Sequence, residues 1–270
     1  MGRIEEALEK AAQRTPLDMS PVPHPPSDHA CPPSPRETNP DQTTDDKLVV
    51  LKAPHSPEAE EFRKLKEALL KEAKQRESFG NVILVTSATP KEGKSMVTLN
   101  LAVSLAQEHD HTVLLVDADL RKPSCHRPFG IAQRPGLSDY IVDNVPLSQV
   151  MTRTGIGNLV IIPAGKPTTT PCELFSSNTT RHLLKEMKHR YPDRIILIDS
   201  PPIISFAETR ILADQVDAAI LVVREKQSSI GDIQECSKLL QNKIMGIVYN
   251  GATMPQNHAH YYYYQLDGIQ

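Results

Sequence analysis

Val82-Ile83-Leu84-Val85-Thr86 runs directly into Ser87-Ala88-Thr89-Pro90-Lys91-Glu92-Gly93-Lys94-Ser95, and a helical pattern from Ser95 to Gln107 follows. The first five residues are apolar or β-branched without alternation, as in a strand buried on both faces. The loop then closes on Gly93-Lys94-Ser95 at the start of a helix. A helix start presents unpaired N–H groups and the positive end of its dipole, which together favour phosphate. Gly93 allows the backbone to come close. Lys94 has the reach to place an ammonium on the β- and γ-phosphates of a nucleotide, and the Ser95 hydroxyl can ligate Mg²⁺. Position 88 holds alanine where the usual pattern of such loops begins with glycine. Taken alone, the loop therefore also reads as an ordinary strand-to-helix connection.

The rest of the chain resolves that ambiguity. Further short apolar runs occur at Val113–Val116, Leu159–Ile162, Ile195–Ile198, Ala219–Val223 and Ile244–Tyr249. Helical patterns at Glu173–Tyr191 and Ile230–Gln241 separate several of them. Buried strands alternating with helices predict an α/β fold, a doubly wound, mainly parallel sheet with helices on both faces. Ligands of such sheets sit at the carboxyl ends of the strands. Two of these runs end in acids there, one in Asp117-Ala118-Asp119-Leu120-Arg121 and the other in Asp199-Ser200-Pro201-Pro202. Residues i and i+2 of an extended segment face the same side, so Asp117 and Asp119 can both point toward a cation beside the phosphates. Ser95, Asp117 and Asp199 form the expected metal set. Lys94 would neutralise phosphate charge, Asp119 would orient or deprotonate an incoming hydroxyl, and Arg121 would contact phosphate or a neighbouring subunit. The expected cofactors are ATP and Mg²⁺.

At these residues the chain resembles the bacterial tyrosine kinases, in particular the stand-alone autokinases of exopolysaccharide systems, over about residues 58–264. Thr86 to Ser95 matches their Walker A motif, Leu114 to Pro123 the special Walker A′ motif, and Ile196 to Pro202 Walker B. The resemblance implies that Ala88, Thr89, Pro90, Lys91, Glu92, Gly93, Lys94, Ser95 and Met96 contact ATP, and that Asn250 contacts adenine; as a bare residue, Asn250 before Gly251 also suits a turn. It implies that Glu60, Arg63 and Lys66 assemble the chain into a homo-oligomeric ring, although they also suit a solvated charged helix face. Lys91 stands where many relatives have glycine. Lys66 stands where they have arginine, and lysine lacks the planar bidentate fork. The implied partner is a membrane-anchored polysaccharide co-polymerase that activates the kinase.

Four of the seven tyrosines stand together as Tyr261-Tyr262-Tyr263-Tyr264, flanked by His, Asn, Gln and Gly. No apolar neighbours offer them a core, and the resemblance implies that they are the autophosphorylation sites. From Asn250 to Tyr261 an extended chain covers about 36–40 Å, enough to reach its own site or a neighbour's.

The remaining expectations concern organisation. Residues 1–14 read as a short amphipathic helix, 15–57 as a Pro-rich linker, 58–253 as the kinase domain and 254–270 as a Tyr-rich tail. Residues 16–57 hold 11 of the 23 prolines, and the run Lys47–Leu51 interrupts them as a candidate docking segment. A net charge of −3 gives no basic surplus for nucleic acid. No apolar run approaches the roughly 20 residues of a membrane helix, and the N-terminus lacks signal-peptide form. The chain is expected in the cytoplasm, recruited to the inner face of the plasma membrane by its partner. Cys31, Cys125, Cys172 and Cys236 are spaced too far apart for a zinc or redox motif. Two rivals remain open: a partition- or cell-division-type ATPase switch without kinase activity, and a module that binds ATP only to fix its shape. The switch type usually carries a lysine at the loop start, where this chain has Thr89.

Overall fold

The computed structural model describes residues 36–37, 45–75, 80–108, 110–190 and 194–253. The helix expected at 1–14 and the tyrosine tail lie outside the described residues. Eight strands form one sheet: β1 Arg36–Glu37, β2 Val82–Ser87, β3 Thr112–Asp117, β4 Thr152–Arg153, β5 Leu159–Ile162, β6 Arg194–Asp199, β7 Ala218–Arg224 and β8 Ile244–Asn250. Their order is β1-β4-β5-β3-β6-β2-β7-β8. All pairings are parallel except β4 with β5.

Chain order and sheet order differ in a way that builds the site. The chain leaves β2, skips one position to make β3, moves outward to β5, and later returns to fill the gap with β6. β6 therefore lies between β3 and β2, pairing Asp199 with Asp117 on one side and with Val85 on the other.

Strand side chains alternate between two apolar cores because Cβ directions alternate along a strand. Val82, Leu84, Leu114, Val116, Ile196 and Ile198 face one core; Ile83, Val85, Val113, Leu115, Ile195 and Leu197 face the other. Nine α-helices cover the sheet among the described residues: α1 Val49–Lys52, α2 Pro57–Gln75, α3 Lys94–Ala106, α4 Leu137–Asp143, α5 Leu147–Val150, α6 Pro171–Ser176, α7 Asn178–Arg190, α8 Ala207–Gln215 and α9 Ile230–Leu240. α3 is buried from Val97 to Ala106, as expected of a helix apolar on nearly every side.

The run Lys47–Leu51 docks. Leu48 and Val50 are buried with Phe62, Leu69 and α3, and the side chain of Asn100 in α3 bonds both Val50 N–H and the Lys47 carbonyl. Residues 45–57, placed in the linker by composition, thus pack on the domain. The helix read as continuous from Glu173 to Tyr191 is two helices. Ser177 breaks it with an extended backbone, and its hydroxyl accepts from Thr180 N–H at 3.2 Å. Among the described residues, no helix is long and apolar enough to cross a membrane.

Candidate active site

The loop between β2 and α3 carries the phosphate-binding features. Gly93 sits at φ +92, and a Cβ there would fall 2.0 Å from Asn250 Nδ2, so only glycine fits. No side chain caps α3, which leaves its first N–H groups available to an anion. Lys91 also adopts a left-handed backbone, φ 69, a conformation that glycine takes more readily than lysine.

Three adjoining strand ends supply the charged groups. Lys94 Nζ lies 3.2 Å from Asp119 Oδ2, both side chains being largely buried. Ser95 Oγ donates to Asp199 Oδ2 at 2.6 Å, and Thr98 Oγ1 donates to Asp199 Oδ1 at 3.3 Å. Asp117 Oδ2 accepts from Ser124 N–H and Cys125 N–H, each at 3.0 Å, and its Oδ1 accepts from Asp119 N–H at 3.2 Å. Burial alone would lower the Lys94 pKa, yet Asp199 and Asp119 raise it, so Lys94 stays protonated.

The donor set suits a hard divalent cation. Oxygen atoms of Asp117 and Asp199 and the Cys125 sulfur lie within 4.8 Å of one another. Burial holds the Cys125 thiol far above its ordinary pKa, so the sulfur keeps its proton and the carboxylates and Ser95 are the usable ligands. Burial, with Asp199 next, pushes Asp117 up to about 7, and burial also raises Asp199. Two buried acids facing each other with a single lysine nearby call for another positive charge.

A pH dependence follows. Because the folded pKa of Asp117 exceeds its ordinary 3.8, the metal-free protein holds a proton that the unfolded chain has lost. This site's contribution to stability is therefore greatest below about pH 4 and falls as pH rises toward 7. Mg²⁺–nucleotide would displace that proton. Its thermal stabilisation should grow from pH 5 to pH 7, and calorimetry in buffers of different ionisation enthalpy should register net proton release. Binding without proton release would contradict this electrostatic account.

Several expected site residues are placed differently from the sequence reading. Glu92 is fully buried. Its carboxylate accepts from Thr89 N–H at 2.7 Å and from the Ser228 hydroxyl, so its side chain braces the loop and is not free for nucleotide. Asn250 Nδ2 donates to the Glu92 carbonyl at 2.8 Å, which makes it a second brace. Arg121 turns to Glu208, with Nε 2.5 Å from Oε1. Glu60 and Arg63 pair with each other at 2.5 Å, and Lys66 pairs with Glu108 within the chain. Sequence reasoning missed Glu208, Ser228 and Gln227, whose Nε2 donates to the Pro90 carbonyl at 2.6 Å. They belong to no motif, and only their proximity in the fold marks them.

A family model described as ParA, NUBPL iron-transfer P-loop NTPase, matches residues 78–269. The chain belongs to the ParA family of P-loop NTPases. Nucleotide binding at Gly93-Lys94-Ser95 is the property this P-loop fold implies. EpsB of Ralstonia solanacearum, whose name describes a tyrosine-protein kinase, is 34% identical over 206 residues, 75% of this chain. The chain spans only 27% of that protein's length. The tyrosine-protein kinase YwqD of Bacillus subtilis is 29% identical over 220 residues, 80% of this chain and 90% of YwqD. The solved kinase domain of the Escherichia coli tyrosine kinase ETK superposes with a TM-score of 0.72 at 27% identity, covering 80% of this chain and 84% of that domain. The similarity of this ParA-family chain to tyrosine kinases thus holds in both sequence and structure.

Proposed function

We propose that the chain is an ATP-dependent protein-tyrosine kinase that phosphorylates Tyr261, Tyr262, Tyr263 and Tyr264. The observation that carries this reading is the Lys94–Asp119 pair beside the Ser95–Asp199 hydrogen bond. It sets a phosphate-seeking ammonium and a carboxylate for an acceptor hydroxyl 3.2 Å apart at one strand end. The tyrosine-kinase names and structure of its relatives support it.

Phosphoryl transfer is mostly a matter of positioning and charge neutralisation. Lys94 exchanges Asp119 for a phosphate oxygen, and the α3 N–H groups hold the neighbouring oxygens. Mg²⁺ held by Ser95, with Asp199 and Asp117 behind it, would neutralise further phosphate charge. Asp119, released by Lys94, accepts a hydrogen bond from the acceptor phenol and orients it. Orientation is the dominant role, with proton removal late, because such transfer proceeds through a loose transition state that asks little of a base. Braced by Glu92, the loop keeps its shape throughout.

The wider setting belongs to the same proposal. The chain acts in the cytoplasm at the inner membrane face, as a ring activated by a membrane-anchored polysaccharide co-polymerase. Ring contacts through Glu60, Arg63 and Lys66 of α2 would exchange the Glu60–Arg63 and Lys66–Glu108 pairs within the chain for partners on a neighbouring copy. Phosphorylating four tyrosines adds about −6 to −8 charges to the tail. The resulting repulsion between tails would open the ring and regulate polysaccharide length or export.

A phosphotyrosine blot tests the core claim. The wild type with its activating partner should give a strong signal. Lys94→Met and the variant with all four tail tyrosines changed to Phe should lose it. ATP hydrolysis without any phosphotyrosine in the wild type would instead favour a partition-type switch.

A further inference from the structure

Glu208 is a buried acid that the chemistry above does not use. It stands in the first turn of α8 with its side chain 1% exposed. Its Oε1 accepts from Arg121 Nε, and its Oε2 accepts from Cys172 Sγ at 3.5 Å. The guanidinium carbon of Arg121 lies 5.1 Å from the centre of the Phe206 ring, within cation–π range. Arg121 is thus fixed along one edge by Glu208 and across one face by Phe206. The arginine side chain nevertheless remains 43% exposed.

The position of this cluster matters. Arg121 lies two residues beyond Asp119 on the loop that follows β3, and Phe206 lies on the loop that follows β6. Those strands are neighbours, and their carboxyl ends carry Asp117 and Asp199. The charge of Asp119 also reaches Arg121. A partly exposed cationic side chain therefore stands near the carboxyl ends of β3 and β6, two residues past Asp119.

We propose that Arg121, fixed between Glu208 and Phe206, is the ledge on which the ring of the acceptor tyrosine lies, and that Glu208 is the positioning residue that sets the ledge. This inference rests on the tyrosine-kinase reading above. A phenol must bring its oxygen into line with the transferring phosphate, and its ring needs a surface while it does so. A guanidinium over the Phe206 ring that stays 43% exposed can meet a second ring as well. Serine and threonine have no ring to place there, so the ledge selects for tyrosine. Burying Glu208 gives the arginine a single orientation, since neither partner can swing into water without leaving the other unpaired.

The test uses the full chain with its four tail tyrosines changed to Phe, so that only an added peptide accepts phosphate. The peptide copies residues 257–267 with one tyrosine kept and three changed to Phe. Glu208→Gln and Phe206→Leu should each raise the KM for this peptide at least fivefold and leave the KM for ATP within twofold. Phe206→Leu keeps the Arg121–Glu208 pair, so it reports on the ledge even if Glu208→Gln fails to fold. An unchanged peptide KM in the folded variants overturns the inference, as does a KM for ATP that rises in step with it. If the parent chain phosphorylates no tyrosine, in the peptide or in its native tail, the kinase reading itself falls and the ledge falls with it.

Discussion

Asp199→Asn should lower tyrosine phosphorylation about 10- to 100-fold, the usual loss when a group supporting a metal ligand is changed. The same substitution should make the nucleotide-free protein more stable. Asp199 accepts hydrogen bonds from Ser95, Thr98 and Cys125. An asparagine amide keeps one oxygen to accept from one hydroxyl, and the other hydroxyl can turn to accept from its NH₂ group, so the network survives. What disappears is a buried negative charge that faces Asp117 and raises its pKa. A pKa change of one corresponds to about 1.4 kcal/mol. In a domain of this size each kcal/mol moves the unfolding midpoint by about 2–4 °C. Thermal scans should therefore show a midpoint several degrees higher without nucleotide, and a smaller gain on adding Mg²⁺ and ATP. A destabilised Asp199→Asn protein would mean that the two carboxylates do not repel in the metal-free state.

Glu92→Ala should have the largest effect on stability. It leaves Thr89 N–H and the Ser228 hydroxyl without their acceptor in a partly buried loop. A buried donor left unpaired costs about 1–3 kcal/mol, and because these two are only partly buried a combined loss of about 1–3 kcal/mol is expected. Glu92→Gln retains an acceptor oxygen and should cost about half as much or less. Denaturant unfolding of the two variants separates them. ATP binding should weaken in the same order, because the brace sets the shape of the phosphate loop. Equal stability of the Ala and Gln variants would show that the Glu92 hydrogen bonds do not hold the loop.

Much of this protein was legible in the sequence because its signals are local. Six apolar runs marked six of the eight strands; five are largely buried, as strands covered on both faces are, whereas β8 at the sheet edge leaves Ile247 and Tyr249 exposed, against the expectation from its apolar run. Gly93-Lys94-Ser95 and the acids at Asp117, Asp119 and Asp199 stood at strand ends, where parallel sheets bind ligands. The two-residue strands β1 and β4 and the short helices α4 and α5 carried too little periodicity to be seen. The α2 charges read as ring contacts, yet Lys66 found Glu108, a partner 42 positions away that periodicity cannot show.

The local order of residues determined which segments became strands, which loop would take phosphate, and which acids stood ready beside it. The tertiary structure alone decided that β6 returns to the gap between β3 and β2, setting Asp199 opposite Asp117 and beside the loop that ends in Lys94. It also decided that Glu92, Asn250 and Arg121 bond to protein groups in this arrangement. The reason is that a strand's identity depends on its own side chains, whereas a hydrogen bond or a shifted pKa depends on whichever distant residues the crossovers bring alongside.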